Sequence, residues 1–74
     1  MSDVGTDVAD WVTRFAAAVG VAPPSESEMD ALLSLAGVAA HASARQAAPI
    51  TCWLAAQAGI SPAEALSLAR GLAG

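Results

Sequence analysis

The stretch "HASARQAAPIT", residues 41–51, holds the side chains best suited to bind a charged ligand. It contains the only histidine, His41, and one of the three arginines, Arg45, four residues later. If one helix continues through both positions, this spacing places them on the same face with Cβ atoms about 5–6 Å apart. An imidazole and a guanidinium side by side can bind a phosphate or a carboxylate. The pair is therefore the centre of the candidate site.

The helix that should follow this pair adds backbone donors to the site. Pro49 suits the first position of a helix, and it favours an extended Ala48, which would then be the N-cap. An alanine side chain accepts no hydrogen bond, so the first N–H groups need water, the Thr51 hydroxyl or an external anion. Trp53, one turn further on, is of a type that is enriched at interface hot spots. The predicted residues of a ligand or partner site are His41, Arg45, Ala48, Pro49, Thr51 and Trp53.

A purely structural interpretation of the same residues stays open. Arg45 in a last helical turn interacts favourably with the helix dipole and the exposed carbonyls. It can also pair with Asp10 or Glu64, and His41 can cap a carbonyl or lie half-buried. Trp53 fits a core position as well as a contact surface.

Catalytic chemistry has little support in the sequence. Cys52 is the only cysteine, and a Cys–His pair with His41 would need a third, orienting group that the sequence does not provide. The chain contains no paired carboxylates, no glycine-rich phosphate loop and no cluster with metal-ligand spacing. We therefore expect no enzyme activity, no catalytic residue, no bound metal and no cofactor.

Length and charge limit the class of protein. A chain of 74 residues is a single domain, here residues 1–74. Its net charge is −4 and its three cationic side chains are spread along the chain, which argues against nucleic-acid binding. The longest apolar run, residues 47–60, is shorter than the roughly 20 residues of a membrane span. The acidic N-terminus lacks the features of a signal peptide, so we expect a cytoplasmic protein without membrane segments.

Helix signals and apolar periodicity predict an all-α fold, a compact bundle of four short helices at roughly residues 6–19, 26–44, 49–58 and 62–72. No run alternates with period two, so no strand is expected. The predicted boundary residues are Thr6 and Gly20 for the first helix, a capping box of Ser25 and Glu28 for the second, and a capping box of Ser61 and Glu64 for the fourth.

Apolar residues three and four apart predict the buried face of each helix. These faces are Val8, Trp11, Val12, Phe15 and Val19; Met29, Leu32, Leu33, Ala36, Ala39 and Ala40; Ile50, Trp53, Leu54 and Ala58; and Leu66, Ala69 and either Leu72 or Ala73. Gly37 falls in the middle of the second helix. It marks either the close approach of a neighbouring helix or an exposed glycine that the helix tolerates.

Three segments, "DWVTRFAAAVGV", "EMDALLSLAGVAAH" and "HASARQAAPITCWLA", resemble a small bacterial domain of unknown function in order and spacing. That family follows a pattern close to His-x-x-x-Arg-x-x-Ala-Pro-Leu/Ile-Thr. The positions of the pattern are occupied here by His41, Arg45, Ala48, Pro49 and Thr51. The chain departs from the family at Gln46, where a proline is common.

The resemblance implies a context more than a mechanism. Domains of this family occur alone or fused behind molybdenum cofactor guanylyltransferase domains. We therefore expect a non-catalytic accessory domain of molybdopterin dinucleotide biosynthesis, which contacts a guanylyltransferase, an acceptor enzyme or an anionic group through the edge formed by His41 and Arg45. Two alternatives stay open: a self-associating helical protein such as a homodimer, and a small carrier of a phosphorylated cofactor.

Overall fold

Four α-helices make up the protein in a computed structural model, which describes the backbone of residues 4–74 and the side chains of residues 8–74. They are α1 (Val4–Val19), α2 (Glu26–Ala42), α3 (Ala47–Ala58) and α4 (Pro62–Ala73). Over that range the chain forms no strand, and its extents are 37 × 29 × 20 Å. The predicted all-α bundle of four short helices is confirmed.

Most of the predicted caps are formed. The Glu28 N–H donates to Ser25 Oγ at 3.1 Å and the Ser25 N–H donates to Glu28 Oε1 at 2.7 Å, so the capping box of α2 is complete. At α4 only the serine half of the predicted box is present, with the Glu64 N–H donating to Ser61 Oγ at 3.1 Å. Gly20 ends α1 with φ 79°, a left-handed conformation that glycine adopts without a Cβ penalty.

Three helix boundaries differ from the prediction. The chain is already helical at Val4, upstream of the predicted cap at Thr6, whose side chain lies outside the described residues. Helix α2 ends at Ala42 because Ser43, with φ −133° and ψ −97°, leaves the helical conformation. Helix α3 begins at Ala47, two residues before Pro49, since proline fits any position of the first turn and does not have to be the first residue.

Helix α2 is the centre of the packing. It packs against both α3 and α4, whereas α1 is only slightly in contact with the other helices, and α3 and α4 do not pack closely on each other. Leu35 of α2 is the one large side chain that is fully buried, at 1 % exposure, among the residues whose side chains are described. The other buried apolar residues in this part of the chain are Ala16, Ala39 and Ala65.

Much of the predicted core is wrong. The prediction missed Leu35, Ala16 and Ala65, although it included Ala39. Predicted core residues that the structure exposes are Val8, Trp11, Phe15, Val19, Leu33, Ile50, Trp53, Leu54, Ala58, Leu72 and Ala73. Val12, Met29, Leu32, Ala36, Ala40, Leu66 and Ala69 are half-buried.

The physical reason is that small side chains, not large ones, face α2. On α3 the half-buried residues Ala48, Cys52 and Ala55 recur every three to four positions and form one face. Small faces let two helix axes approach closely, and the bulky residues of α3 are then turned away from α2. Residues Trp53 and Ile50 lie on that opposite face.

Gly37 is half-buried, and no neighbouring helix approaches its backbone closely. A Cβ built on Gly37 meets no atom within 4 Å. Of the two interpretations of this residue, the tolerated glycine is therefore correct.

None of the helices in residues 4–74 combines the length and the apolar character that crossing a bilayer requires.

Candidate functional site

The start of α3 does not have the free donors that motivated an anion site. Its N-cap is Gln46, not Ala48, and Gln46 makes no capping hydrogen bond through its side chain. The Ala47 N–H donates to the Ala44 carbonyl at 2.9 Å and the Ala48 N–H donates to the Arg45 carbonyl at 3.2 Å. Pro49 has no N–H. A turn within residues 44–48 therefore occupies the backbone donors that an anion would have used.

His41 and Arg45 do not share a helix face. His41 is in the last turn of α2, but the helix ends at Ala42 and Arg45 lies in the turn that leads to α3. The four-residue spacing therefore no longer sets the distance between the two side chains. His41 lines a shallow recess together with Ser34 and Arg70, whereas Arg45 is exposed in the turn.

The predicted ion pairs of Arg45 are not formed. Asp10 pairs instead with Arg14 one turn away on α1, with Arg14 Nη1 3.7 Å from Asp10 Oδ2. Both of these side chains are 67 % exposed, so the pair adds little to stability. Among residues 8–74 no carboxylate lies within 4.0 Å of the Arg45 guanidinium. Within residues 8–74, Arg45 therefore has no ion pair.

The four remaining predicted site residues are placed in four different environments. Ala48 is half-buried on the side of α3 that faces α2, and Pro49 is exposed at the first turn. Thr51 is half-buried and lines a groove between α3 and α4. Trp53 is 60 % exposed on the opposite face of α3. The structure does not gather the six predicted residues into one pocket, and their binding role remains a prediction.

A groove between α3 and α4 is an apolar concave surface that the sequence interpretation missed. Its two recesses measure about 210 and 220 Å³ and are continuous, since both are lined by Thr51, Ala69 and Leu72. Leu35 of α2 contributes to the wall of the second recess. The groove exists because α3 and α4 each pack on α2 but not on each other. The sequence signal that could have predicted the groove is that α3 has small side chains on one face and bulky side chains on the opposite face.

A second apolar surface is the outward face of α1. Trp11 is 59 % exposed and Phe15 is 55 % exposed, and their rings stack with centroids 6.0 Å apart. The Arg14 guanidinium lies 6.0 Å from the Trp11 ring centroid, in reach of a cation–π contact. Over residues 8–19 of this helix, only the edge at Val12 and Ala16 is covered by the rest of the chain. Both surfaces together give this small domain an unusual number of exposed aromatic and aliphatic side chains.

Cys52 does not have the environment of an activated nucleophile. Its side chain is half-buried, and burial raises the pKa of the Cys52 thiol because desolvation disfavours the thiolate. Reactive cysteines show the opposite shift. Within the described part of the chain, no three His, Cys, Asp or Glu residues come together as a metal site would require.

Comparison with known proteins adds a family but no activity. The model of a domain of unknown function, DUF6457, matches residues 3–73. No curated protein matches the chain, and no solved structure does. Since the match extends over nearly the whole length, this four-helix chain belongs to the DUF6457 family of domains of unknown function.

Proposed function

We propose that this domain is a non-catalytic interaction module in the cytoplasm. Its proposed context is the biosynthesis of the molybdenum cofactor, with a molybdenum cofactor guanylyltransferase or a cofactor-accepting enzyme as the partner. That context comes from the resemblance of three segments within residues 10–55 to domains fused to guanylyltransferases. The interaction role is supported by the surface of the domain itself.

One observation carries the proposal: many large apolar side chains are exposed, whereas the buried ones, apart from Leu35, are alanines. The buried residues in the described part of the chain are three alanines and Leu35. Both tryptophans and the phenylalanine are more than half exposed. Contiguous exposed apolar residues of this kind mark protein–protein contact sites. Trp is also the residue type most often found among the hot spots of such contacts.

The proposed contact surface for this partner is the outward face of α3, which we call the Trp53 face. It consists of Ile50 and Trp53, which are one turn apart on α3, and we propose that Arg45, exposed in the turn before the helix, contributes to its rim. Ile50 is 59 % exposed, similar to Trp53. Because no carboxylate of the described chain pairs with Arg45, the fitting partner has an apolar pocket for the indole ring and an acidic residue beside it.

The groove favours an interaction role over carriage of a phosphorylated cofactor. Its lining is aliphatic, with Ser43 and Thr51 as the polar members and no cationic side chain. A phosphate held in the groove itself would have no charged hydrogen-bond donor. The adjoining recess offers the His41 imidazole and the Arg70 guanidinium, so a carrier of a phosphorylated cofactor stays an alternative with that recess as its site.

Binding of the purified domain to the guanylyltransferase and to the acceptor enzymes of the same cell tests the proposal. Titration calorimetry gives the Kd for the wild-type domain and for three variants. Trp53→Ala should raise the Kd by about 30-fold or more, as the loss of a hot-spot Trp does. Arg45→Ala should raise it by about three- to tenfold, because a charge at the rim of an interface contributes less. Leu33→Ala is the matched control, since Leu33 is a similarly exposed apolar residue on α2.

Two results would contradict the proposal. One is the absence of binding of the wild-type domain to any of these enzymes at about 100 µM, where even weak specific complexes form. The other is equal loss of affinity in the Leu33 control and the Trp53 variant, which would place the contact away from the Trp53 face.

A further inference from the structure

We infer that the groove between α3 and α4 binds helix α1 of a second copy of this chain, so that two copies form a symmetric dimer with two such contacts. The inference uses the groove and the outward face of α1, and it is independent of the partner proposed for the Trp53 face. The mode is that of an amphipathic helix laid into an apolar groove.

The groove and the outward face of α1 match, because two recesses of suitable volume meet two aromatic side chains. The groove has two adjoining recesses of about 210 and 220 Å³. An apolar cavity of about 150 Å³ already takes up a benzene ring, so each recess has room for one aromatic side chain. Helix α1 presents two aromatic rings, Trp11 and Phe15, side by side on one face with centroids 6.0 Å apart.

Docking in this way leaves the fold of each chain unchanged. Ala16 is buried and Val12 half-buried by their own chain, whereas Trp11 and Phe15 point away from it. Helix α1 can therefore stay in its position in the fold while Trp11 and Phe15 bind in the groove of a second copy. The bound conformation needs no rearrangement, which keeps the cost of association low.

The exposed area of the chain is sufficient for such an interface. The chain exposes 5414 Å² to solvent. A compact monomer of 74 residues would expose roughly 4,200 Å². The chain thus exposes more surface than a compact monomer of its length, and a standard interface would cover roughly 800 Å² of it on each partner.

The charges of the two surfaces are complementary. The segment that contains α1, residues 1–19, has three aspartates and one arginine. Residues 41–74 have two arginines and His41 against the single carboxylate of Glu64. His41 and Arg70 line a recess next to the groove. This recess and the groove have three lining residues in common, Val38, Ala42 and Ala73. The acidic start of α1 is therefore attracted to this end of the groove of another copy.

Reciprocity makes the assembly a closed dimer. Each chain has one α1 and one groove, and in the inferred two-fold dimer each α1 occupies the groove of the other copy; a head-to-tail filament in sedimentation would contradict this closed arrangement.

Sedimentation equilibrium over about a hundredfold range of concentration tests the dimer. The variant Trp11→Ser/Phe15→Ser removes the aromatic rings, and Leu68→Glu/Leu72→Glu places charge in the groove. Both pairs are more than half exposed, so the chains should fold, which circular dichroism checks. Each variant should raise the dimer Kd by about 30-fold or more, whereas the control Leu33→Ala and the Trp53→Ala variant should leave it unchanged.

Paramagnetic relaxation then locates the contact. A nitroxide at Val8→Cys in a Cys52→Ser background is mixed with an isotope-labelled, wild-type chain. Broadening of the Leu68 and Leu72 amides of the labelled chain is the expected result. A wild-type chain that stays monomeric at about 1 mM overturns the inference. A second result also overturns the inference: the Leu68 and Leu72 amides broaden only when the nitroxide and the isotope label are in the same chain. In that case α1 docks within its own molecule.

Discussion

The two neighbouring leucines Leu33 and Leu35 provide a sharp test of how α2 is oriented. Leu35 is 1 % exposed and Leu33 is 65 % exposed, although the apolar pattern of the sequence assigns Leu33 to the core. Both are leucines in the middle of the same helix, so Leu→Ala changes the helix propensity equally at the two positions. Any difference in the cost of the two substitutions therefore reports burial.

The expected magnitudes follow from the two environments. Replacing a buried leucine by alanine costs about 2–5 kcal/mol. Because Leu35 borders the open groove, water can fill part of the space it leaves, and we expect about 3 kcal/mol. A domain of this length has a total free energy of unfolding of roughly 4–11 kcal/mol. Leu35→Ala thus removes a large fraction of it and lowers the Tm by about 12–24 °C. Leu33→Ala should change the stability by about 0.5 kcal/mol or less.

Urea denaturation followed by circular dichroism measures both values. The titrations are done at a low protein concentration, so that self-association does not add to the apparent stability. Equal costs for the two variants, or a larger cost for Leu33→Ala, would refute the orientation of α2 and with it the position of the groove.

Four further predictions use the same stability measurement or a variation of it. Gly37→Ala should stabilise the protein by about 1 kcal/mol, because an added Cβ meets no atom and alanine is the better helix former; destabilisation would indicate a close contact there. Gly59→Ala should cost about 1 kcal/mol, because Gly59 has φ 72°. Ser25→Ala should cost about 1 kcal/mol by removing the acceptor of the Glu28 N–H, and the exposed Ser34→Ala should cost almost nothing. Stability should fall as the pH rises beyond about 9, because the folded state holds the proton of the Cys52 thiol more tightly than the unfolded state; this loss should be smaller in Cys52→Ala.

Local signals in the sequence predicted the helices well. The box formed by Ser25 and Glu28, the serine at position 61 and the glycine at position 20 each act through hydrogen bonds or backbone angles of their own neighbourhood. Such features are determined within a few residues and can be inferred without knowledge of the tertiary contacts.

Packing was harder to predict because α1 and α3 each have two faces that could be buried. On α3 the bulky residues Ile50 and Trp53 lie opposite a face of small residues, Ala48, Cys52 and Ala55, and Leu54 lies at the edge that borders the groove. Periodicity assigns the bulky face to the core, but close approach to α2 selects the small one. In an alanine-rich chain the size of a side chain is therefore a poor guide to its burial.

The predicted geometry of the candidate site was wrong for a related reason, whereas its binding role stays a prediction. The prediction required one helix to continue through both His41 and Arg45, but α2 ends at Ala42. The turn at residues 43–46 separates them and also satisfies the amides of Ala47 and Ala48. Trp53, the predicted contact residue, is exposed as a docking role requires.

The central claim is that the exposed aromatic residues of this domain serve to contact another protein. Fluorine NMR of the Trp11→Phe variant labelled with fluorotryptophan tests it most directly, because Trp53 is then the only labelled residue. In the free domain at low concentration, the Trp53 resonance should show the full solvent isotope shift between H₂O and D₂O, and this shift should disappear when the guanylyltransferase or the acceptor enzyme is added. A Trp53 resonance that is already shielded in the free domain, or that stays fully exposed in the presence of every such enzyme, would contradict the account.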